Sequence, residues 1–310
     1  MNQRYNSLND FLKVRFKERV YKIAVDANLG CPNFDGTIGK DGCSFCNLAT
    51  LEPVITKGAS SSFLTSHNIQ DQVKFGIEYG RKRHNAKKFI AHFQSGSNTY
   101  APLARLESVW SESIEHPDIV GLAISTRPDT LSKACVELIH EFSKRTFVWV
   151  ELGLQSANDS TLKAINRGHS VNCFLEAYDW LREYEIPTCA HVVLGLPGEE
   201  IEEFRETASF LNKHELWGVK IHNLHVLKDT LLEKKYADGK IKLPTLNEYS
   251  FWVRDFLEHL SERIIIHRFN SHSPRRFTIA PDWSINKLAT LNAVHEELER
   301  HDSRQGKLVL

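Results

Sequence analysis

Three of the six cysteines fall within sixteen residues, in the run Cys31-Pro32-Asn33-Phe34-Asp35-Gly36-Thr37-Ile38-Gly39-Lys40-Asp41-Gly42-Cys43-Ser44-Phe45-Cys46. Eleven residues separate Cys31 from Cys43, and two separate Cys43 from Cys46. Thiolates at CxxC spacing grip a metal centre. A third can join them if the backbone folds back, and the glycines around Cys31 and Cys43 give it that freedom. Two chemistries fit. A [4Fe–4S] cluster takes four ligands, normally thiolates; three from this loop leave one iron open. A Cys₃His zinc site would instead recruit a histidine such as His67 or His92. Structural zinc usually staples small modules, so a loop on the rim of a large β/α scaffold favours the cluster. Phe34 and Phe45 are placed to shield it from water. Cys135, Cys173 and Cys189 are scattered and read as ordinary buried cysteines, which leaves no thiols for a second cluster.

The scaffold is bounded by composition. The 310 residues are 41% hydrophobic and 25% charged, ordinary for a soluble globular protein. That length suits one large α/β domain or two smaller ones, with a core that needs no disulfides. There is no apolar run of about 18 residues, so no membrane span is expected. The polar N-terminus lacks the apolar core of a signal peptide, and a cytoplasmic location with reduced thiols follows as an expectation. Lys+Arg and Asp+Glu are 39 each, so global charge gives no support to a nucleic-acid partner. The basic stretches 13–22 and 81–88 read as solvated faces, short of what a dedicated nucleic-acid surface carries.

A β/α rhythm positions the cysteines. Residues 1–20 form a helical or extended lead-in, and 21–27 a first strand that runs into the cysteine loop. A helix is expected over 66–83, capped by Ser66. Strands follow at 88–94, 119–125, 147–154, 187–196 and 218–227. Helices alternate with them at 102–116, 132–144, 160–165, 171–184 and 200–214. This alternation implies parallel strands with crossover connections. The expected fold is α/β: an incomplete (β/α)₆ TIM-like barrel over 21–230, with a doubly wound open sheet as the runner-up. In either, sites lie at the carboxyl ends of strands. Residues 231–310 form a C-terminal α+β extension, with helices at 247–261 and 289–300 and a short β-rich piece at 263–267.

Strand parity selects candidate lumen residues. In the fourth strand Val148, Val150, Leu152 and Leu154 share one face, and Trp149, Glu151, Gly153 and Gln155 the other. A charge on a helix-covered strand must face a polar lumen or be paired. Glu151 and Gln155 therefore become candidate contacts. His92 and Gln94 share a face of the second strand, and Ser125 and Arg127 of the third. His191 is a weaker candidate. Lys220, His222 and His225 fall on both faces of the sixth strand.

The motifs resemble those of radical S-adenosylmethionine (SAM) enzymes. They are similar to the branch containing the Elongator catalytic subunit, the oxygen-independent coproporphyrinogen dehydrogenase and the methylthiotransferases, and more closely to the bacterial YhcC-like proteins. The resemblance rests on the cysteine run, Ser125-Thr126-Arg127-Pro128-Asp129, Glu151-Leu152-Gly153-Leu154-Gln155-Ser156, Ile165-Asn166-Arg167-Gly168-His169 and Leu194-Gly195-Leu196-Pro197-Gly198-Glu199. In the tail it adds Ala280-Pro281-Asp282-Trp283 and Gln305-Gly306. It implies that Cys31, Cys43 and Cys46 hold a [4Fe–4S] cluster whose open iron binds SAM. Reductive cleavage of SAM would give a 5′-deoxyadenosyl radical that abstracts hydrogen from a substrate, with the electron coming from a flavodoxin or ferredoxin type of donor. Gly96, Ser97, Ser125, Arg127, Glu151, Gln155, Arg167, His169, Gly195 and Pro197 become candidate cofactor contacts. Two features depart from the superfamily. Its usual spacing is CxxxCxxC, whereas the first gap here is eleven. The glycine-rich stretch after strand two is Ser95-Gly96-Ser97-Asn98-Thr99, without the usual acidic residue. The substrate is left open between tRNA and a small molecule. The competing reading is a zinc- or cluster-containing tRNA-binding protein without radical chemistry.

Overall fold

The computed structural model describes residues 4–48, 68–271 and 273–309. Seven strands form one parallel sheet: β1 (Val20–Val25), β2 (Lys88–Phe93), β3 (Ile119–Thr126), β4 (Phe147–Gln155), β5 (Thr188–Leu194), β6 (Gly218–Asn223) and β8 (Ile265–Arg268), in that spatial order. Helices α2 (Ile69–His84), α3 (Leu103–Ser113), α4 (Lys133–Ser143), α5 (Asp159–Ala164), α6 (Val171–Glu183) and α7 (Ile201–Lys213) connect the first six strands in turn. Local sequence sets their starts. Ser132 and Ser170 cap α4 and α6, and Glu200 with Glu203 makes a capping box on α7. The helix expected from Ser66 begins at Ile69, capped by Asn68; Ser66 and His67 lie outside the described residues.

The central strands are buried on both faces, as β3 and β4 are along nearly their whole length. Their outer apolar residues pack against the helices in one continuous core. Their inner residues meet across a lumen, because the sheet curls. At the usual strand spacing a flat sheet would hold β1 roughly 14 Å from β4. Instead Lys22 of β1 comes within 4.0 Å of Glu151 of β4, and His267 of β8 within 3.7 Å. Both sheet edges thus reach the middle strand, as an incomplete TIM-like barrel requires.

The lumen is layered with period two. Ile90, Ala123, Trp149 and Cys189 form an apolar floor. Two residues further along the same strands stand His92, Ser125, Glu151 and His191. The lead-in resolves as a helix, α1 (Leu8–Phe16), whose Leu8 and Leu12 pack with Ile265 beneath that floor. Just before it, Ser7 bridges Ile266 and covers the edge of β8.

Two features of the second half differ from expectation. The β-rich piece of the tail is β8, which joins the barrel beside β6 as a seventh strand. The expected strand 218–227 breaks after Asn223; β7 (Val226–Leu227) leaves the barrel and pairs antiparallel with β9 (Thr278–Ala280). Helices α8 (Leu231–Ala237), α9 (Leu246–Glu258) and α10 (Lys287–Arg300) complete the chain, with α9 packed on both α7 and α10.

Candidate active site

The cysteine loop leaves the carboxyl end of β1 and lies on the rim of the barrel. Its shape is fixed by backbone. Gly42 N–H donates to Asn33 O at 2.8 Å, Ile38 N–H to Pro32 O at 2.8 Å and Cys46 N–H to Cys43 O at 2.9 Å. Gly42 has φ +70°, and a Cβ there would stand 2.1 Å from the Phe34 ring, so glycine is required twice over. The segment after β4 ties the loop down. Asn166 Nδ2 donates to Gly42 O at 2.6 Å, Asn33 Nδ2 to Asn166 O at 2.8 Å, and Ser44 N–H to Ile165 O at 2.8 Å. Phe45 packs on the apolar cluster of Ile165, Leu196 and Leu232.

Cys31 and Cys43 are buried and Cys46 is half-buried. Burial pushes the Cys46 thiol up, and the neighbouring Cys43 and Cys31 push it further; Arg167 and Arg127 oppose this. The three thiols therefore share one electrostatic environment. Cys43 Sγ takes three donors: Arg167 Nη1 at 3.4 Å, Asn33 Nδ2 at 3.6 Å and Arg127 Nη1 at 3.9 Å. Among the described residues no three His, Cys, Asp or Glu side chains converge on one ion-sized position. A tetrahedral zinc would need its thiolates about 3.8 Å apart, whereas a cubane spreads them over separate irons. Neighbouring thiols with two guanidinium groups beside them suit an anionic polythiolate cluster. Arg167 Nε is buried and has no partner.

The candidate residues take distinct places. Arg167 Nη2 donates to Gly153 O at 2.9 Å, and a Cβ on Gly153 would sit 2.4 Å from that nitrogen. Arg127 pairs with Asp129 at 2.6 Å and donates to Arg167 O at 2.8 Å. Burial works against its charge, but Asp129 together with Cys43 and Cys31 raises its pKa overall. Its anion partner is thus a carboxylate of this chain two residues away. His169 Nε2 lies 3.1 Å from Gly153 O. Burial and then Arg167 and Arg127 lower its pKa, so the ring is neutral. Gln155 closes β4 with φ 77°, a left-handed conformation rare in non-glycine residues. Ser97 N–H donates to Gly30 O at 2.8 Å, beside Gly96; the Ser97 hydroxyl is buried and has no partner. Gly195 follows β5 with φ +90°, and a Cβ there would stand 3.0 Å from the Trp252 ring of α9; Pro197, two residues on, is half-buried.

Below the rim, Glu151 gathers the lumen. Its side chain is 0% exposed. His92 Nε2 and His191 Nε2 each lie 3.0 Å from Oε2, Ser125 Oγ donates to it at 2.8 Å, and Lys220 Nζ bonds the same oxygen. Trp149 Nε1 donates to Oε1 at 3.2 Å. Burial would raise the Glu151 pKa, but His92 and Lys220 more than reverse this, and the carboxyl is held well below its usual range. Burial lowers Lys220 to about 8 despite Glu151. It lowers His92 and His267 to about 4 and His191 to about 3, so these rings are neutral near pH 7. Ser125 therefore belongs with Glu151 in the lumen and Arg127 with the cysteine loop.

Local pattern missed several participants. Asn33 and Asn166 lock the loop, and Lys22, His267 and Arg268 enter from the two sheet edges. Only the curl brings those edges to Glu151. Cys135 and Cys189 are buried as expected, whereas Cys173 is half-buried.

Comparison with known proteins agrees with this geometry. A family model described as the Radical SAM superfamily matches residues 35–211, and one described as the Radical_SAM C-terminal domain matches 216–300. The chain is 36% identical over 305 residues to the uncharacterised protein YtqA of Bacillus subtilis, covering 98% of this chain and 92% of that one. It is 30% identical over 297 residues to the protein YhcC of Escherichia coli, covering 96% and 93%. Among solved structures it is similar in fold to the archaeal Methanocaldococcus infernus Elp3 lacking residues 1–46, with TM-score 0.69 at 19% identity. That likeness covers 92% of this chain and 64% of the Elp3 chain.

Proposed function

We infer the function from one premise: this chain belongs to the radical SAM superfamily. Cys31, Cys43 and Cys46 would hold a [4Fe–4S] cluster, with SAM taking the fourth iron. When bound, these cofactors supply reductive cleavage of SAM to methionine and a 5′-deoxyadenosyl radical that abstracts hydrogen from the substrate. The observation that carries the reading is the set of three neighbouring thiols flanked by Arg127 and Arg167, at the mouth of a polar lumen.

The chain's own residues then have separable tasks. Arg127 and Arg167 offset the negative charge that thiolate ligation gathers. Asn33 and Asn166 hold the loop in register with the β4 rim. The unpartnered Ser97 hydroxyl and Arg167 Nε are donors available to SAM, with Gly96, Gln155 and His169 around them. Gly195 and Pro197 offer a small-residue wall on the β5 side. The apolar floor excludes water from below. The Glu151–Lys220 pair can hold or move a proton beside the substrate, since Lys220 titrates at about 8. An external one-electron donor of flavodoxin or ferredoxin type completes the cycle. The enclosed lumen suits a small molecule, or a single group of a larger substrate such as tRNA reaching in.

The test is anaerobic reconstitution with iron and sulfide, followed by SAM and a strong reductant. The expected result is a brown protein that forms 5′-deoxyadenosine, with both properties lost in Cys43→Ala. A reconstituted protein that carries the cluster yet leaves SAM intact under reduction would overturn the reading.

A further inference from the structure

The incomplete barrel leaves a lateral cleft of about 460 Å³ between its two edge strands, closed below by α1. That volume is in the range of small-molecule sites. Its polar lining is cationic: Lys22 from β1, Lys220 from β6, Arg268 from β8 and Lys287 at the start of α10, with His92 and His267 between them. His92 and Lys220 also contact Glu151, so the cleft and the lumen are continuous.

The charges do not balance. Glu151 is the one carboxylate within ion-pair distance of this group among the described residues, and Lys220 already occupies it. Lys22 reaches it only at 4.0 Å. Neither Arg268 nor Lys287 has an acidic partner among the described residues. Arg268 Nη2 rests 3.1 Å from His222 Nδ1, a neutral ring, while its buried Nε has no partner. Both ring nitrogens of His267 are likewise buried without a hydrogen bond. Burial lowers the pKa of Lys220 and Arg268, and Arg268 and Lys22 lower those of Lys220 and of Lys287 at the rim, so these cations face one another. Lys287 is exposed and Lys22 and Arg268 are half-buried, so the buried cost falls on Arg268 Nε and the His267 ring nitrogens, which have no partner.

We propose that this cleft is an oxyanion subsite, in which Lys22, Arg268 and Lys287 receive a carboxylate or phosphate group of the substrate while Glu151 and Lys220 face the part that enters the lumen. The proposal rests on the radical SAM reading for the word substrate; the anion site itself does not. Arg268 supplies planar paired donors, and the lysines supply point charges. An anion bound there offsets part of the excess positive charge and can satisfy Arg268 Nε.

The experiment uses the reconstituted full chain with saturating SAM. Inorganic phosphate and malonate are titrated separately at constant ionic strength, by calorimetry and by thermal stabilisation, with chloride as the control. Saturable binding of at least one is expected, and the tighter of the two names the group the substrate carries. Lys287→Gln, at the exposed rim, should weaken it roughly tenfold, the loss of one charged contact. Arg268→Gln should weaken it further where it folds. Absence of saturable binding, binding unchanged in Lys287→Gln, or competition between phosphate and SAM would each overturn the proposal. Formation of 5′-deoxyadenosine without substrate is measured in the same samples. Its loss in the wild type would count against the radical chemistry and leave the anion site standing.

Discussion

Replacing Glu151 with glutamine should destabilise the protein by about 3–5 kcal/mol, the range for removing one partner of a buried ion pair. The structure shows where that comes from. Burial already pushes Lys220 down to about 8 from an ordinary 10.5, with Glu151 opposing the fall. Without the carboxylate its pKa falls further, and at pH 7 it sheds its proton. Losing the proton limits what the lysine adds to the loss to on the order of 1 kcal/mol. The remainder comes from hydrogen bonds. His92, His191, Ser125 and Lys220 all point at Oε2, and Trp149 at Oε1. An amide has one oxygen to accept with, and its NH₂ meets donors. One or two buried donors are left unsatisfied, at about 1–3 kcal/mol each. The assay is urea unfolding of Glu151→Gln followed by circular dichroism under anaerobic conditions. The double variant Glu151→Gln/Lys220→Met should recover only the lysine's share, because His92, His191, Ser125 and Trp149 still meet the amide. A Glu151→Gln protein within about 1 kcal/mol of wild type would refute the claim that this carboxylate is the ionised centre of the lumen.

Three further outcomes are expected. The folded-state pKa values of His92, His191 and His267 are depressed to about 4, 3 and 4. Below pH 6.5 the unfolded chain therefore binds protons that the folded chain refuses. Stability should fall as pH drops from 6.5 toward 4, by up to about 1.4 kcal/mol per pH unit for each histidine, and Glu151 adds to this below pH 4.5. A urea midpoint that stays flat from pH 6.5 to 4.5 would contradict it. Asn166→Ala removes the donor to Gly42 O and should speed amide exchange across residues 31–46 while leaving the barrel strands protected; uniform exchange would deny it the role of a loop lock. Arg167→Met removes the donors to Cys43 Sγ and Gly153 O together, and should lower iron retention after desalting severalfold with little change in unfolding midpoint. Unchanged iron retention would assign Arg167 to packing alone.

The barrel was legible because its strands are apolar on the helix-facing side and its helices carry their own caps. Parity placed Glu151, Ser125 and His92 in the lumen, since alternation is a local property. Its closure was not legible. Lys22 and His267 are ordinary residues within their own strands, and only a curl that joins strands far apart in sequence brings them to Glu151. The same limit hid where the β-rich piece at 263–267 goes: β8, four residues long and set in a tail that has left the β/α rhythm, joins the barrel beside β6. Strand six read as running to residue 227 because Leu224 and Val226 extend the apolar pattern. Leu224 N–H instead bonds Leu194 O, and the chain turns away to pair β7 with β9. Arg127 stood out by its position at a strand end; its pairing with Asp129, two residues on, was not legible. Asn33 and Asn166 carry no signal beyond their place in motifs, because their work is to join two segments 133 residues apart.

The central claim is that the three-cysteine loop holds a cluster with one iron open to SAM. The direct measurement is electron paramagnetic resonance of the reduced, reconstituted protein with and without SAM, alongside iron analysis. About four irons per chain and a reduced-cluster signal that changes shape when SAM is added are the expected result. A single zinc per chain, or a cluster signal that SAM leaves unchanged, would contradict the claim.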